Sequence, residues 1–351
     1  MIAGVIAFVA TVLLVPIVKA LCVRWRLFDA PGPLKIHSQP IPRLGGVAIV
    51  LAIFEAACGS DPHRALSVWP FFVGLVVIWA VGLADDLRGV SPVLRLAAQF
   101  AAGVLLWQHG WRLPILGVGV LDLLATCFFV AAITNSINLL DGMDGLAAGV
   151  VGIIAAAYLA LPGIPANPFA LAVAWSVAGA CTGFVIFNLP PAKIFMGDSG
   201  STALGFVIAF LGLDFYRSYP VTPSALFFPL LTAILPLLDS AFAVVRRLRS
   251  RASPFYGDRR HLYDRMYARG WTPRRIALAS YAITATVAAI ALLGVRRESS
   301  QFWIIAALSI AILIYAAVRL GSLRGDDRNR PAQNVNAPPM DQECGEPSST
   351  G

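Results

Sequence analysis

The feature that most constrains this chain is a succession of apolar runs, each about as long as a bilayer is thick. A helix needs about 17 to 25 apolar residues to cross the hydrocarbon core, and in lipid its backbone groups must pair within the segment. Only 13% of the 351 residues are charged, against about 25% in soluble domains. The pattern predicts an all-α, polytopic integral membrane protein with about 11 transmembrane helices, near residues 2–18, 44–58, 68–84, 92–107, 118–134, 146–161, 169–187, 199–213, 224–245, 276–295 and 302–318.

The lysines and arginines predict how these helices are oriented. Loops that stay in the cytoplasm carry an excess of both residues. If the N-terminus lies outside, most of the 27 lysines and arginines fall in cytoplasmic loops. The exceptions are Arg64, Arg112, Arg217, Arg296 and Arg297. We therefore predict an outside N-terminus and a cytoplasmic C-terminus, in the plasma (inner) membrane of the cell.

The distribution of charge also excludes one class of partner and marks off the end of the chain. The formal net charge is +8, but the basic residues are scattered between apolar runs, so nucleic acid is not an expected partner. Residues 325–351 are rich in Pro, Asn, Asp and Ser, and such segments bury too little apolar surface to fold. We predict a membrane domain over residues 1–324, followed by a disordered cytoplasmic tail.

The polar residues in the segment NSINLLDGMDGL, residues 135–146, need an explanation in so apolar a chain. An ionised carboxylate at the bilayer centre costs roughly 3 kcal/mol or more, so Asp141 and Asp144 should meet water or line a polar cavity. In a helix, Asn138, Asp141 and Asp144 would follow one polar strip. The glycine after each aspartate could instead turn the chain. Packing explains the pattern poorly, and we predict a functional role.

Two further acidic motifs lie at the ends of apolar runs. Asp85 and Asp86 close the third run, where adjacent carboxylates can bind a divalent cation or supply a base. A solvated helix end is the alternative. Asp198 opens the eighth run in the sequence GDSGS, where a helix N-terminus attracts phosphate and a carboxylate can hold the accompanying Mg²⁺. An N-cap by Asp198 or Ser199 is the alternative there.

Two basic loops accompany the acidic motifs. The first predicted cytoplasmic loop offers Lys35 and Arg43 as anion ligands, although an ordinary positively charged loop explains them as well. The largest loop contains Arg259, Arg260 and His261. A histidine there can bind a phosphate or move a proton.

All of these motifs fall on the cytoplasmic side of the predicted topology. The orientation rests on lysine and arginine alone, so the clustering of the aspartates is independent of it. Carboxylates that hold Mg²⁺, interleaved with cationic side chains, suit a diphosphate substrate. We expect a soluble phosphorylated compound and a lipid to meet there. Asp239, inside the ninth run, is interpreted as a structural partner of an arginine in the next loop.

At these residues the chain resembles the polyprenyl-phosphate N-acetylhexosamine-1-phosphate transferases, also called glycosyltransferase family 4. The resemblance extends over about residues 29–275. Five motifs occur in the order typical of the family: PxPRxGG at 40–46, the pair Asp85-Asp86, NxxNxxDGxDGL at 135–146, FNxxPAxxFMGDSGS at 187–201, and the histidine loop at 261.

The resemblance implies an enzyme that transfers a sugar 1-phosphate from a UDP-N-acetylhexosamine to undecaprenyl phosphate and releases UMP. It implies that Asp198 binds Mg²⁺, with Mn²⁺ as a substitute. Asp85 and Asp86 would lie at the lipid phosphate, one of them as a base, and His261 would contact phosphate. The nucleotide would be held or aligned by Asp141, Asp144, Asn138, Asn188 and Phe195. We favour direct attack by the lipid phosphate over a covalent enzyme intermediate, because that phosphate is already ionised at pH 7.

The histidine loop departs from part of the family pattern. The branch that makes the peptidoglycan lipid, phospho-N-acetylmuramoyl-pentapeptide transferase, carries three consecutive histidines, whereas only His261 is present here, in His-Leu-Tyr-Asp. This favours the branch that initiates O-antigen, lipopolysaccharide or teichoic acid lipids. A second histidine's part would pass to Tyr263, Arg259 or Arg260. The pentapeptide transferase is one alternative and an ion-coupled secondary transporter is another. The sugar and a homodimer are left open.

Overall fold

A computed structural model describes residues 1–32, 38–60, 67–113, 117–161, 167–219, 222–251, 260–297 and 300–323. The predictions made for Lys35, for Arg259 and for the tail 325–351 therefore lie outside the described residues.

The regular structure of the described residues is helical apart from one short ladder, and every predicted apolar run is helical. A six-residue helix, α11, is the one that the hydropathy pattern did not predict. In chain order the helices are α1 (Ile2–Arg24), α2 (Gly45–Ser60), α3 (Trp69–Arg88), α4 (Pro92–Gln108), α5 (Gly119–Leu140), α6 (Leu146–Leu159), α7 (Pro168–Asn188), α8 (Gly197–Ser218), α9 (Pro223–Thr232), α10 (Ile234–Arg249), α11 (Leu262–Tyr267), α12 (Pro273–Arg297) and α13 (Ser300–Arg319).

The protein is an all-α, polytopic membrane protein. Within the described residues, seven helices are long and apolar enough to cross a membrane, or eight if one bent pair counts as a single span. The outermost of them, α1 and α13, bury only 22% and 17% of their apolar windows, so most of their side chains are available to lipid. The helices α2 and α6 are shorter and apolar.

The ninth apolar run is not the single straight helix that its length predicted. It forms α9 and α10, which meet at an angle of 75°. Pro229 and Pro236 lie on either side of the break at Ala233, and proline both removes a backbone donor and clashes with the preceding turn. The bend turns the polar residues of α10 towards the rest of the bundle, where Asp239, Arg246 and Arg247 are buried.

The central helix is α8, which is buried along its whole apolar window. Its first half is rich in Gly, Ser and Ala, and small residues let membrane helices approach closely. A Cβ at Gly205 would lie 2.6 Å from the Cα of Thr134 in α5, and a Cβ at Gly82 of α3 would lie 2.7 Å from the carbonyl of Asp198. The close packing of α3 and α5 on α8 brings the polar ends of all three helices together.

The segment before α2 is fastened to the start of α8. Strand β1 (Phe28–Asp29) pairs antiparallel with β2 (Ile41–Pro42). The amides of Gly45 and Gly46 then donate to the carbonyls of Phe195 and Met196, both at 2.8 Å. The glycine pair thus permits a close approach between this segment and the backbone at the start of α8.

Candidate active site

A cavity of about 990 Å³ opens at the end of the bundle where α3, α5 and α7 end and α8 begins. Of the described residues predicted for the site, only Arg260 is absent from its wall. The structure places the others together there: Arg43, Asp85, Asp86, Asn138, Asp141, Asp144, Asn188, Phe195, Asp198 and His261.

Asp86 caps the N-terminus of α8. Its Oδ1 accepts the backbone amide of Asp198 and its Oδ2 accepts that of Ser199, both at 2.9 Å, and the side chain is buried. The first amides of a helix have no partner within the helix and carry its positive dipole end, so a carboxylate stabilises them. Helix α8 is therefore capped by α3, and neither Asp198 nor Ser199 acts as its cap. Both oxygens of Asp86 are engaged in this contact.

Asp85 points to the other side of the same helix end. Its Oδ1 accepts the amide of Val90 at 2.6 Å, and its Oδ2 forms an ion pair with Arg95 of α4 at 2.7 Å. A pair of aspartates at a helix C-terminus opposes the helix dipole. This unfavourable interaction is offset in the structure, because Asp86 caps α8 and Asp85 forms an ion pair with Arg95.

Asp198 lies in the first turn of α8 and is held by α5. Its Oδ1 accepts the side-chain amide of Asn138 at 2.5 Å, and the same amide donates to Ser201 at 2.9 Å. The Oδ2 of Asp198 lies 3.8 Å from Arg95. Since 36% of its side chain is exposed, the carboxylate faces the cavity in a fixed orientation.

The segment after α5 turns at Asp141 and does not continue as a polar helical strip. Gly145 adopts φ +75°, and α6 starts at the next residue. The turn is held from two sides: Gly145 donates its amide to Asn188 at 2.9 Å, and its carbonyl accepts the hydroxyl of Tyr281 at 2.5 Å. Asp144 accepts the amide of Ala192 at 2.9 Å. Asp144 and Asn188 thus brace this wall of the cavity, and their contact with substrate stays a prediction.

Asp141 lies beyond the last turn of α5 and is only partly exposed. Burial, followed by the charges of Asp198, Asp86 and Asp144, raises the pKa of the Asp141 carboxyl well above its usual range. Negative charge is therefore crowded in this part of the cavity. Such an arrangement favours the binding of a cation.

His261 is a buried residue of the cavity wall and is held by α10. Its Nδ1 lies 2.7 Å from the Oδ2 of Asp239, and its ring stacks on that of Tyr263 with the centroids 5.5 Å apart. The buried partner of Asp239 found here is this histidine, where the sequence had suggested an arginine.

The cavity residues that the sequence did not predict include two arginines, Arg247 and Arg274. Arg247 is buried in α10, and the Nε of Arg274 in α12 donates to the carbonyl of Pro190 at 3.0 Å. Helical spacing could have identified Arg247, because it lies eight residues after Asp239 and shares its face. No sequence signal separates Arg274 from its neighbours. These arginines give the cavity a cationic wall beside His261.

The donor groups of the cavity fit Mg²⁺. Within the described residues, no three Asp, Glu, His or Cys side chains are grouped as a closed metal cage. Mg²⁺ is usually held by one or two carboxylates, water and substrate phosphates. The oriented carboxylate of Asp198, among like charges that raise the pKa of Asp141, meets that description. The ion itself stays a prediction.

The fold and the cavity define a class: polytopic helical membrane proteins with a carboxylate-rich site at the end of the bundle. A model of glycosyl transferase family 4 matches residues 68–216. The chain is 30% identical to the probable undecaprenyl-phosphate N-acetylglucosaminyl 1-phosphate transferase of Bacillus subtilis strain 168, with 91% of each chain covered. It therefore belongs to glycosyl transferase family 4.

Two further relatives have related names. The chain is 31% identical to the decaprenyl-phosphate N-acetylglucosaminephosphotransferase of Mycolicibacterium smegmatis, over 88% of this chain and 86% of the relative. It is 28% identical to the undecaprenyl-phosphate alpha-N-acetylglucosaminyl 1-phosphate transferase of Escherichia coli O157:H7, over 82% of each.

Proposed function

We propose that this protein transfers an N-acetylhexosamine 1-phosphate from a UDP-sugar to undecaprenyl phosphate, giving the polyprenyl-diphospho-sugar and UMP. The product would start a lipid-linked glycan of the cell envelope. N-acetylglucosamine is the sugar that we propose first, because the three named relatives are N-acetylglucosamine phosphotransferases.

The observation that carries this proposal is the junction of two cavities. The polar cavity of about 990 Å³ adjoins an apolar cavity of about 510 Å³, and Tyr263 belongs to the walls of both. The apolar cavity is lined largely by side chains of α10, α12 and α13, among them Leu235, Phe242 and Ile283. A phosphate in the first cavity could thus be continuous with a hydrocarbon chain in the second. A soluble nucleotide alone needs no such apolar extension.

The chemistry assigned to the polar cavity is phosphoryl transfer, in which positioning and charge neutralisation do most of the work. An oxygen of the lipid phosphate attacks the sugar-side phosphorus, a new P–O bond forms, and the bond to the UMP oxygen breaks. The lipid phosphate is already ionised near pH 7, so the step needs no base. This agrees with the engagement of Asp85 and Asp86 in an ion pair and a helix cap.

The basic and acidic residues of the cavity would bind different parts of the substrate complex. Arg247, Arg274 and His261 would hold the phosphate oxygens, as arginines commonly do. Asp198, oriented by Asn138, would hold Mg²⁺, which when bound neutralises the charge of the diphosphate. Phe195 presents an aromatic ring at the cavity wall for the uracil.

We also propose the arrangement in the membrane. The N-terminus lies outside, the chain crosses about 11 times, and the cavity faces the cytoplasm, where the UDP-sugar is available. The distribution of lysine and arginine supports this orientation. Residues 1–324 would form one catalytic membrane domain in the plasma membrane, with residues 325–351 as a cytoplasmic tail.

Two alternatives make different predictions. A phospho-N-acetylmuramoyl-pentapeptide transferase would use the same cavity with another UDP-sugar, and the single histidine of this loop disfavours it. An ion-coupled transporter would place its acidic residues near the bilayer midplane on broken helices. The aspartates of this site instead lie at the ends of α3, α5 and α8.

The test is to incubate the purified protein with undecaprenyl phosphate and a panel of UDP-sugars, which includes UDP-N-acetylmuramoyl-pentapeptide, in Mg²⁺ or in EDTA. We expect UMP and a prenyl-diphospho-sugar only when both substrates and Mg²⁺ are present. No release of UMP with any sugar would overturn the function. Full activity in EDTA would overturn the metal site alone.

A matched pair of variants tests the placement of the metal. Asp198→Asn should abolish turnover while the protein stays folded in detergent. Asp214→Asn lies in the same helix but roughly 24 Å further along, at the rise of an α-helix, and should keep kcat within about threefold of the parent. Near-normal turnover of Asp198→Asn would show that the metal is held elsewhere.

A further inference from the structure

A buried carboxylate in α10 has a partner that the proposed reaction can use. Asp239 is 3% exposed and His261 is 4% exposed. The Oδ2 of Asp239 lies 2.7 Å from Nδ1 of His261, and its Oδ1 accepts the amide of Leu262 at 2.8 Å. Both carboxylate oxygens therefore hold two consecutive residues of the histidine loop.

The 2.7 Å contact specifies the tautomer of the imidazole. A ring nitrogen and a carboxylate oxygen attract at this distance only when a proton lies between them, and the carboxylate of Asp239 is an acceptor. Nδ1 therefore carries a proton and donates it to Asp239. Any contact of the ring with a substrate phosphate must then be made through Nε2. Since a phosphate oxygen is an acceptor, Nε2 must also carry a proton in that contact, and the carboxylate of Asp239 balances the charge of the resulting imidazolium.

The neighbours of the histidine prevent the ring from turning. Its face stacks on Tyr263 at an interplanar angle of 9°. The hydroxyl of Tyr263 donates to the carbonyl of Leu139 at 3.3 Å, and the backbone amide of His261 donates to Asp264 at 3.2 Å. The ring is thus fixed between a membrane helix and the end of α5, and it lines the polar cavity.

We propose that Asp239 is a positioning residue for the transfer reaction, which it serves by keeping Nδ1 of His261 protonated and aiming the Nε2–H of the imidazolium at the phosphates. The inference rests on the proposed function, because it assigns a task to His261 in that site. The proton on Nδ1 follows from the contact with Asp239 alone and does not depend on any substrate.

Asparagine is the informative replacement because it keeps the shape of the side chain and reverses the hydrogen bond. The amide of Leu262 requires an acceptor, so the carboxamide oxygen will face it. The NH₂ group will then face Nδ1 of His261 and will donate to it. The ring must take the opposite tautomer, with the proton on Nε2. While the carboxamide donates to it, Nδ1 cannot carry a proton, so the donor that faces the phosphates is neutral and the positive charge of the ring is lost.

The kinetic experiment compares Asp239→Asn, His261→Gln and the double variant in UMP release with undecaprenyl phosphate. We expect Asp239→Asn to lower kcat by about tenfold or more, because a neutral donor replaces a charged one, with the KM of each substrate within about threefold of the parent. The double variant should be no slower than His261→Gln. Additive losses in the double variant, or a kcat of Asp239→Asn within threefold of the parent, would overturn the proposal.

A spectroscopic experiment tests the tautomer without any turnover. The protein contains 4 histidines, and the Nδ1 signal of His261 is the one lost in the His261→Gln spectrum of protein labelled with ¹⁵N at Nδ1. At pH 8 we expect a protonated Nδ1 in the parent and an unprotonated one in Asp239→Asn. The same protonation state in both would overturn the inference. A parent that shows the expected signal but releases no UMP would overturn the proposed function instead.

Discussion

The cap that Asp86 places on α8 leads to a quantitative prediction for Asp86→Asn. The carboxylate accepts two backbone amides at 2.9 Å and is 6% exposed. The carboxamide can accept only one of them, and its NH₂ group then faces the other amide. The variant loses one charge-assisted hydrogen bond, worth about 1.5 to 3 kcal/mol, and weakens the interaction with the helix dipole, worth about 0.3 to 1 kcal/mol. We expect a loss of about 3 kcal/mol in the free energy of unfolding.

The loss should be visible both in stability and in turnover. In detergent, a destabilisation of this size should lower Tm by roughly 5 °C in a chain of this length. Turnover should fall as well, because the amide that loses its acceptor is that of Asp198 or its neighbour Ser199, and the orientation of the Asp198 carboxylate depends on that turn. The assay is thermal unfolding in detergent beside UMP release at saturating substrate. An unchanged Tm would refute the reasoning that α8 depends on a cap supplied by α3.

Three further sets of substitutions should affect stability and turnover differently. Asp141→Asn should abolish UMP release in Mg²⁺, yet at pH 8 without Mg²⁺ it should raise Tm. Because the pKa of Asp141 is raised in the folded protein, its ionisation costs stability above the ordinary pKa of aspartate, and the gain in Tm should vanish as the pH falls to that range. Gly46→Ala places a Cβ 2.2 Å from the backbone of α8, which should cost about 3 kcal/mol or more and reduce the yield of folded protein. Gly59 lies in the same helix with nothing within 4 Å of its Cβ position, so Gly59→Ala should not lower Tm. Trp111→Phe removes the indole N–H that donates to the buried Asp214 at 3.0 Å, and the free energy of unfolding should fall by about 1 to 3 kcal/mol. The kcat should stay within twofold of the parent, because this contact lies at the far end of α8 from the cavity. A large loss of kcat would mean that the two ends of α8 are coupled.

The sequence predicted the helices well because their signal is local. The length and hydropathy of a run decide whether it can cross a membrane, and ten of the eleven predicted runs each coincide with a single helix of the structure. The ninth run is the exception, since hydropathy does not report a bend. Its two prolines were the available signal, and they lie on either side of the break.

The sequence also identified most residues of the cavity, because polar residues in a membrane protein are costly and hence informative. It could not assign their individual tasks. Asp86 and Asp198 are 112 residues apart, and Asn138 and Asp198 are 60 apart. Those contacts depend on which faces of α3, α5 and α8 meet, and helical periodicity within one segment contains no information about the partner helix.

The amino-acid sequence by itself thus determined a helical membrane protein, the family, and a set of polar residues gathered at one end. The tertiary structure decided that Asp86 is a helix cap, that Asn138 orients Asp198, that Arg247 faces the cavity, and that Asp239 holds His261. The physical reason is that hydropathy is a property of a segment, whereas a hydrogen bond between helices requires two segments to be placed within 3 Å or so of each other. Only the packing of the bundle around α8 specifies that placement.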